Sequence, residues 1–145
     1  MTHIPYKGNG PATAALLGGE VQVLFGAVPP LLPHVSAGRV RALAISSGKR
    51  AQALPQIPTV AESGYPGFDM ALWLGFFAPA GTPPAVVKRL ESTLVELIQS
   101  PETKELLTRQ GVEPYSMGSR DLAKLVKVEI ENYKSVFKTA GIKMQ

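Results

Sequence analysis

Cysteine is absent from this 145-residue sequence, and histidine is scarce. The absence of cysteine excludes disulfides, thiolate metal sites and cysteine nucleophiles. The two histidines, His3 and His34, lack the spacing of paired metal ligands, so we expect no metal site and no cofactor. The sequence also lacks an apolar run of about 18 residues or more, the length that a membrane-spanning helix requires.

The charge of the chain is modest and dispersed. Lys and Arg number 15 against 11 Asp and Glu, which gives a formal net charge of +4. Nucleic-acid-binding proteins usually gather their basic residues on one face, whereas here they are scattered or interleaved with glutamates. We therefore expect no nucleic-acid partner, and a mild positive field is compatible with attracting small anions.

Glycine and proline are abundant, with 14 and 13 copies, and they separate well-patterned apolar runs. Extended runs and short helices alternate along the first part of the chain. This order predicts an α/β fold with a parallel sheet of βαβ units. The predicted strands are 2–6, 21–25 and 41–46. The first predicted helix covers 12–17 and is ended by Gly18-Gly19. The second predicted helix starts at Pro29-Pro30 and ends at Gly38.

The second part of the chain has a different character from about residues 68–71 onward. An apolar strand over 69–79 is followed by long charged helices, with a short extended segment at 112–117. Thr82 is a suitable N-cap for a helix whose first residue is Pro83. The next helix starts at Ser100-Pro101, runs to Gln110 and stops at Gly111. Ser119 is the predicted N-cap of the last helix. We expect two regions, 1–70 and 71–145. The long apolar stripe of the last helix needs a covering sheet or helix, part of which could lie outside this chain.

The loop over 6–12 is the first candidate site. The free N–H groups of a helix start carry partial positive charge and bind anions. Gly8 and Gly10 allow close approach of backbone to a ligand, and Lys7 adds charge. The loop has neither the GxxxxGK[ST] nor the GxGxxG pattern, and a plain tight turn explains its glycines equally well.

The ends of the predicted strands extend this candidate site. Ligands of open α/β sheets bind outside the carboxyl ends of the strands, which here are the loops 6–12, 26–28 and 46–48. These loops offer backbone amides and two serine hydroxyls, but no general base. The predicted ligand-binding residues are Tyr6, Lys7, Gly8, Gly10, Pro11, Ala12, Ala27 and Ser46.

Groups that could perform catalysis are sparse. The acids Glu20, Glu62 and Asp69 have no partner at a spacing that indicates a catalytic dyad. Ser46 follows a strand without the G-x-S-x-G pattern of hydrolases, and Trp73 is typical of a core residue. We therefore expect a binding protein rather than an enzyme, with no catalytic residue.

Six segments of the chain, taken together, form a recognisable series. They are His3–Gly8, Leu17–Val23, Leu32–Ala44, Leu54–Gly64, Trp73–Pro83 and Ala140–Ile142. In this order, the six segments resemble the C-terminal half of the Bug-type substrate-binding receptors of tripartite tricarboxylate transporters. The resemblance covers essentially the whole chain, and its specificity comes from the number of segments that occur in sequence.

The resemblance implies a periplasmic-binding-protein-like (type II) fold whose two lobes close around a small di- or tricarboxylate. The loop 6–12 would present backbone amides to a ligand carboxylate. Residues 1–70 would form the ligand-binding second lobe, and 71–145 would supply a crossover strand and helices of an incomplete first lobe. The implied partners include the membrane subunits of the transporter. The implied location is periplasmic, although the sequence begins with no signal-peptide pattern.

Two departures from the family pattern bear on function. The receptors are roughly double this length, and the half not seen here carries the export signal and most of the first lobe. Many relatives also carry an Asp-Asn-like pair after the second strand, where this chain has Gly26-Ala27. A plain di- or tricarboxylate is therefore favoured over an amino acid.

Two other interpretations stay open. The chain could be a non-binding fragment that is stabilised by dimerisation or domain swapping, with a homodimer formed through the incomplete lobe. It could also be a small anion-handling enzyme or the effector-sensing domain of a regulator. Turnover of a phosphate or acyl ester would favour this last interpretation.

Overall fold

The structure is a computed structural model that describes residues 2–141. Over this range the helices are α1 (Asn9–Leu17), α2 (Val28–Ser36), α3 (Pro84–Gln99), α4 (Pro101–Arg109) and α5 (Ser119–Ala140). The chain divides into two compact units. The first unit runs to Phe77 and includes Pro101–Pro114, and the second contains Ala78–Ser100 and the chain from Tyr115 onward. The assignment of 1–70 and 71–145 to two receptor lobes stays a prediction.

The helix ends confirm the glycine stops expected from the sequence. After α1 the chain turns at Gly19, where φ is +75°, and the N–H of Glu20 donates to the carbonyl of Ala15 at 2.9 Å. Only glycine enters this left-handed conformation without a steric cost, so it ends helices efficiently. The helices α2 and α4 likewise end two residues before Gly38 and Gly111.

Four of the five described helix starts differ from the predicted ones by one to three residues, whereas α4 begins at Pro101 as predicted. The first helix begins at Asn9 rather than at residue 12, so Pro11 is its third residue. The N-cap of α3 is Pro83, and the hydroxyl of Thr82 donates instead to the carbonyl of Pro79 at 2.8 Å. Ser119 is the first residue of α5 rather than its cap. Because the first four N–H groups of a helix have no intrahelical acceptor, proline is tolerated throughout the first turn, and its position does not define the start.

The predicted strands are wrong: the structure contains no β ladder within residues 2–141. Within residues 2–141 the only β pairing is an isolated parallel bridge between Ile45 and Thr59. There the N–H of Ile45 donates to Pro58, and the N–H of Val60 donates to Ile45, both at 2.9 Å. A strand exists through its hydrogen bonds to a neighbour, and the described residues supply few neighbours. Apart from that bridge, the predicted segments 2–6, 21–25, 41–46, 69–79 and 112–117 are non-helical chain outside any ladder.

The core is small and lies in the first unit. Ile45, Ala51 and Leu54 are buried together, and the apolar face of α2 packs against them. The turn after α4 also approaches α2, because a Cβ added at Gly111 would lie 3.0 Å from the side chain of Val28. In the second unit, no residue up to 141 is buried.

Large apolar side chains are exposed on the two long helices of the second unit. They include Val86, Leu90 and Leu97 on α3, and Val128, Ile130, Tyr133 and Val136 on α5. The expectation that the last helix lacks full cover within this chain is therefore confirmed for the described residues.

A single turn after the parallel bridge closes on itself through a capping box. The N–H of Glu62 donates to Oγ1 of Thr59 at 3.0 Å, and the N–H of Thr59 donates to Oε2 of Glu62 at 2.7 Å. Nε of Arg50 donates to the same carboxylate at 2.9 and 3.2 Å. The hydrogen bond from Arg50, followed by that from the Thr59 amide, holds the pKa of the Glu62 carboxyl below its ordinary value.

We predict that Arg50→Gln raises the pKa of Glu62 toward its ordinary value, because it removes the largest stabilisation of the carboxylate. Since the folded pKa lies below the unfolded one, the stability supplied by Glu62 is present above the unfolded pKa. It is lost as the pH falls through the folded pKa. A carboxyl-detected NMR titration measures the shift. Arg109→Gln, which removes the exposed ion pair with Glu105, is the control and should leave Glu62 unchanged. An unchanged Glu62 titration in Arg50→Gln contradicts the prediction.

Candidate functional site

The start of α1 depends on the conformation of Gly8. This residue is the N-cap, with φ +102° and ψ 177°, a conformation open essentially to glycine alone. No side chain among the described residues caps this helix. The N–H groups of the first turn are therefore not consumed by a side-chain cap, and they carry the partial positive charge of a helix N-terminus.

The start of α2 lies beside the start of α1. Ala27 is the N-cap of α2, and its N–H donates to Oδ1 of Asn9, the first residue of α1, at 3.5 Å. This helix also has no side-chain cap in the described range. The structure thus brings together two of the three predicted loops, 6–12 and 26–28, and places the N-terminal turns of two helices side by side.

The third predicted loop, 46–48, has polar groups that are already hydrogen-bonded within the chain. The N–H of Gly48 donates to Oδ1 of Asp69 at 2.8 Å, and the carbonyl of Ser46 accepts from the N–H of Met70 at 2.8 Å. The hydroxyl of Ser47 donates to the carbonyl of Lys49 at 2.8 Å. Because the carboxylate of Asp69 occupies the Gly48 amide, this loop is poorly suited to an anion.

The predicted site residues fall into three groups. Ala12 is buried in α1, so its side chain contributes to packing. Ser46 is half-buried and bonded to the segment at Met70. The remaining residues lie at or next to the two helix starts: half-buried Tyr6 and Ala27, and exposed Lys7, Gly8, Gly10 and Pro11.

Sequence reasoning did not single out Asn9 or Asp69 as residues of this region. Asn9 links the two helix starts, and its position between two glycines ahead of a small-residue helix was the available signal. Asp69 bonds across 21 positions to Gly48, a separation at which no sequence pattern reports contact. Among residues 2–141, no group of three or more His, Asp and Glu is placed to hold a metal, and no helix is long and apolar enough to cross a membrane.

The sequence profile described as tripartite tricarboxylate transporter family receptor matches residues 1–142. This chain belongs to that receptor family. It is 37% identical over 142 residues to Protein BugT of Bordetella pertussis, and the match covers 98% of this chain and 44% of BugT. The family resemblance inferred from the sequence is thereby confirmed.

Two solved structures share the fold of this chain. Rpa4515 of R. palustris, determined with adipate, is 35% identical with a TM-score of 0.89, over 97% of this chain and 47% of that protein. MatC from Rhodopseudomonas palustris, determined with bound malate, is 32% identical with a TM-score of 0.79, over 92% and 46% respectively. The chain therefore spans less than half the length of these two proteins and of BugT.

We predict different effects of alanine at the two glycines of the loop 6–12. An added Cβ meets open space at both positions, so the comparison isolates the backbone. Gly8→Ala should destabilise the fold by about 1–3 kcal/mol, because its φ of +102° is strained for alanine. Gly10→Ala should be neutral or stabilise by up to about 1 kcal/mol, because Gly10 is already helical. Urea unfolding followed by far-UV circular dichroism measures both, and equal effects would contradict the assigned start of α1.

Proposed function

We propose that this chain forms part of a solute-binding receptor that captures a small di- or tricarboxylate for a tripartite tricarboxylate transporter. The observation that carries the proposal is the pair of adjoining helix starts, α1 and α2, in a chain of this family. Neither start has a side-chain cap in the described range. The amides of Gly8, Asn9 and Gly10 at α1 would donate to one carboxylate of the ligand. At α2 only the amide of Val28 is available, because Pro29 and Pro30 have no N–H and the Ala27 amide is bonded to Asn9.

The geometry at α1 is suited to a carboxylate. Gly8 and Gly10 bring no side chain between a ligand and the backbone amides. Exposed Lys7 adds a positive charge next to the helix start. Asn9 Oδ1, an uncharged oxygen, already accepts from the Ala27 amide, which indicates that an oxygen atom fits between the two helix starts.

The ligand class follows from the relatives and from the local sequence. Adipate and malate, found with two structural relatives, are both dicarboxylates. Gly26 and Ala27 carry no polar side chain that could select an amine, and the oxygen of Asn9 beside them already accepts from the Ala27 amide. We therefore propose a plain di- or tricarboxylate, held by the loops 6–12 and 26–28. Ser46 contributes less than expected, since its loop contacts Asp69 and Met70.

The proposed activity is capture without turnover. The two helix starts present donors but no carboxylate or imidazole that could act as a general base. In this proposal the receptor works in the periplasm with the membrane subunits of the transporter. Residues 1–70 would belong to the ligand-binding lobe, and 71–145 would supply the crossover segment and helices of the other lobe.

We predict selective stabilisation of the chain by a dicarboxylate. In a thermal-shift series with acetate, malate, adipate and citrate, a ligand at one hundred times its dissociation constant should stabilise the chain by about 2.7 kcal/mol. Sulfate is the control for charge alone. A shift with sulfate equal to that with every carboxylate would contradict carboxylate recognition.

Substitution at Gly10 tests the loop itself. Gly10→Leu should abolish the carboxylate-dependent shift with little loss of stability, because an added Cβ meets open space but covers the helix start. Ala14→Leu places the same side chain at an exposed position further along α1, and this variant should retain the shift. Retention of the shift in both variants would show that the ligand binds elsewhere.

The exposed apolar surface supports a second candidate. A chain that exposes large apolar side chains such as Leu72, Leu74 and Phe76 could be a non-binding fragment that is stabilised by association with a second copy. This candidate predicts no shift with any carboxylate and a dimer at micromolar concentration. Light scattering in the presence and absence of ligand separates the two candidates.

A further inference from the structure

The chain has two asparagines, and they stand in different local sequences. Asn9 precedes Gly10 at the start of α1, whereas Asn132 precedes Tyr133 inside α5. Both asparagines are exposed. The backbone nitrogen that follows an asparagine can attack the side-chain carboxamide and close a cyclic imide, and glycine hinders this attack least because it has no side chain. The local sequence therefore favours this reaction at Asn9 and disfavours it at Asn132.

The nucleophile of the reaction at Asn9 is the backbone nitrogen of Gly10. Gly10 is the second residue of α1, and the first four N–H groups of a helix have no acceptor within that helix. A Cβ added at Gly10 meets nothing within 4 Å, so the space around this residue is open. Tyr133, by contrast, lies inside α5, where each N–H bonds to the carbonyl four residues earlier. The helix thus holds back the nitrogen beside Asn132 but not the one beside Asn9.

The electrophile is Cγ of the Asn9 carboxamide, whose oxygen already has a hydrogen-bond donor. The N–H of Ala27 donates to Oδ1 of Asn9 at 3.5 Å. Attack at Cγ moves negative charge onto this oxygen, and a positioned backbone N–H stabilises such an oxyanion. The long hydrogen bond should shorten as the charge develops, because charge-assisted hydrogen bonds are shorter than neutral ones. The partial positive charge of the two helix starts acts in the same direction.

We propose that Asn9 is a site of spontaneous deamidation, with Gly10 as the nucleophile and the Ala27 amide as the oxyanion donor. The nitrogen of Gly10 forms a bond to Cγ of Asn9 and loses its proton. The side-chain nitrogen of Asn9 takes up a proton and leaves as ammonia. Water then opens the cyclic imide at either of its two carbonyls, adding its hydroxyl to the carbonyl carbon and its proton to the ring nitrogen. The products are aspartate and isoaspartate, and water is the only co-reactant.

The reaction places a negative charge between the starts of α1 and α2. The new carboxylate accepts from the Ala27 amide and is stabilised by the N-terminus of α1. Isoaspartate also lengthens the main chain at the first residue of this helix. A carboxylate ligand at the same helix start would be repelled by the new charge. This last consequence rests on the function proposed above, whereas the deamidation does not.

The experiment incubates the purified chain in warm, mildly alkaline buffer prepared with water enriched in heavy oxygen. Peptide mapping by mass spectrometry should show Asn9 converted to a mixture of aspartate and isoaspartate that carries heavy oxygen. Asn132 is the internal control and should remain asparagine. Retention of Asn9, or equal conversion of both asparagines, would overturn the proposal. Aspartate without isoaspartate would also overturn it, because direct hydrolysis of the side chain gives aspartate alone.

Two variants test the nucleophile and the oxyanion donor separately. Gly10→Ala should slow the conversion of Asn9 about tenfold, because an added Cβ hinders the nitrogen and restricts the backbone. Ala27→Pro removes the N–H that donates to Asn9, and the φ of Ala27, −68°, already suits proline. This variant should also slow the conversion about tenfold. Circular dichroism of both variants should match the parent chain. A rate equal to that of the parent chain would overturn the role assigned to the substituted residue.

Asn9→Asp installs the product directly and tests its effect on the ligand. In thermal-shift titrations with malate and adipate, this variant should bind about tenfold more weakly than the parent chain, because two carboxylates at one helix start repel each other. Asn132→Asp makes the same change of charge on α5 and should bind as the parent does. Equal binding by Asn9→Asp and the parent would overturn the stated effect on the ligand. A parent chain that binds neither acid would contradict the proposed function alone, because deamidation is measured by mass without a ligand.

Discussion

The packing of α2 against the segment that carries Ile45, Ala51 and Leu54 is the contact on which the first unit depends. Val28, Leu32 and Val35 line the side of α2 that makes this contact. The other elements of the unit reach the same helix. The N-cap of α2 bonds to Asn9 of α1, and the turn after α4 packs on its first residues. One short helix thus orients both the core and the candidate ligand site.

A second constraint explains why the predicted strands lack a β ladder. Backbone N–H and C=O groups of an extended segment require partners, and a segment with two apolar faces requires cover on both. Helices satisfy the first requirement internally, so all five form within the described residues. The predicted strands cannot do so alone. Large apolar side chains such as Phe25 and Leu74 remain exposed, whereas Ile45 is buried. Within the described residues, pairing is reduced to the single bridge at Ile45 and Thr59.

The candidate site could be predicted in part. Glycines before a helix indicate a close backbone approach, and the loops 6–12 and 26–28 do lie together. Local patterns could not reveal that Asp69 occupies the amide of Gly48, because that bond joins residues 21 positions apart. They also could not show that Ala12 is buried against its surroundings while Gly10 remains exposed.

The sequence by itself determined the family, the helices and the glycine stops that end them, because these depend on local conformation and on recurrent segments. Tertiary structure alone decided which strand candidates found a neighbour and which loops met. It also decided that Ser46 bonds to Met70 rather than to the helix starts. The physical reason is that a helix closes its hydrogen bonds over four residues, whereas a strand or a loop cluster closes them with chain that is distant in sequence.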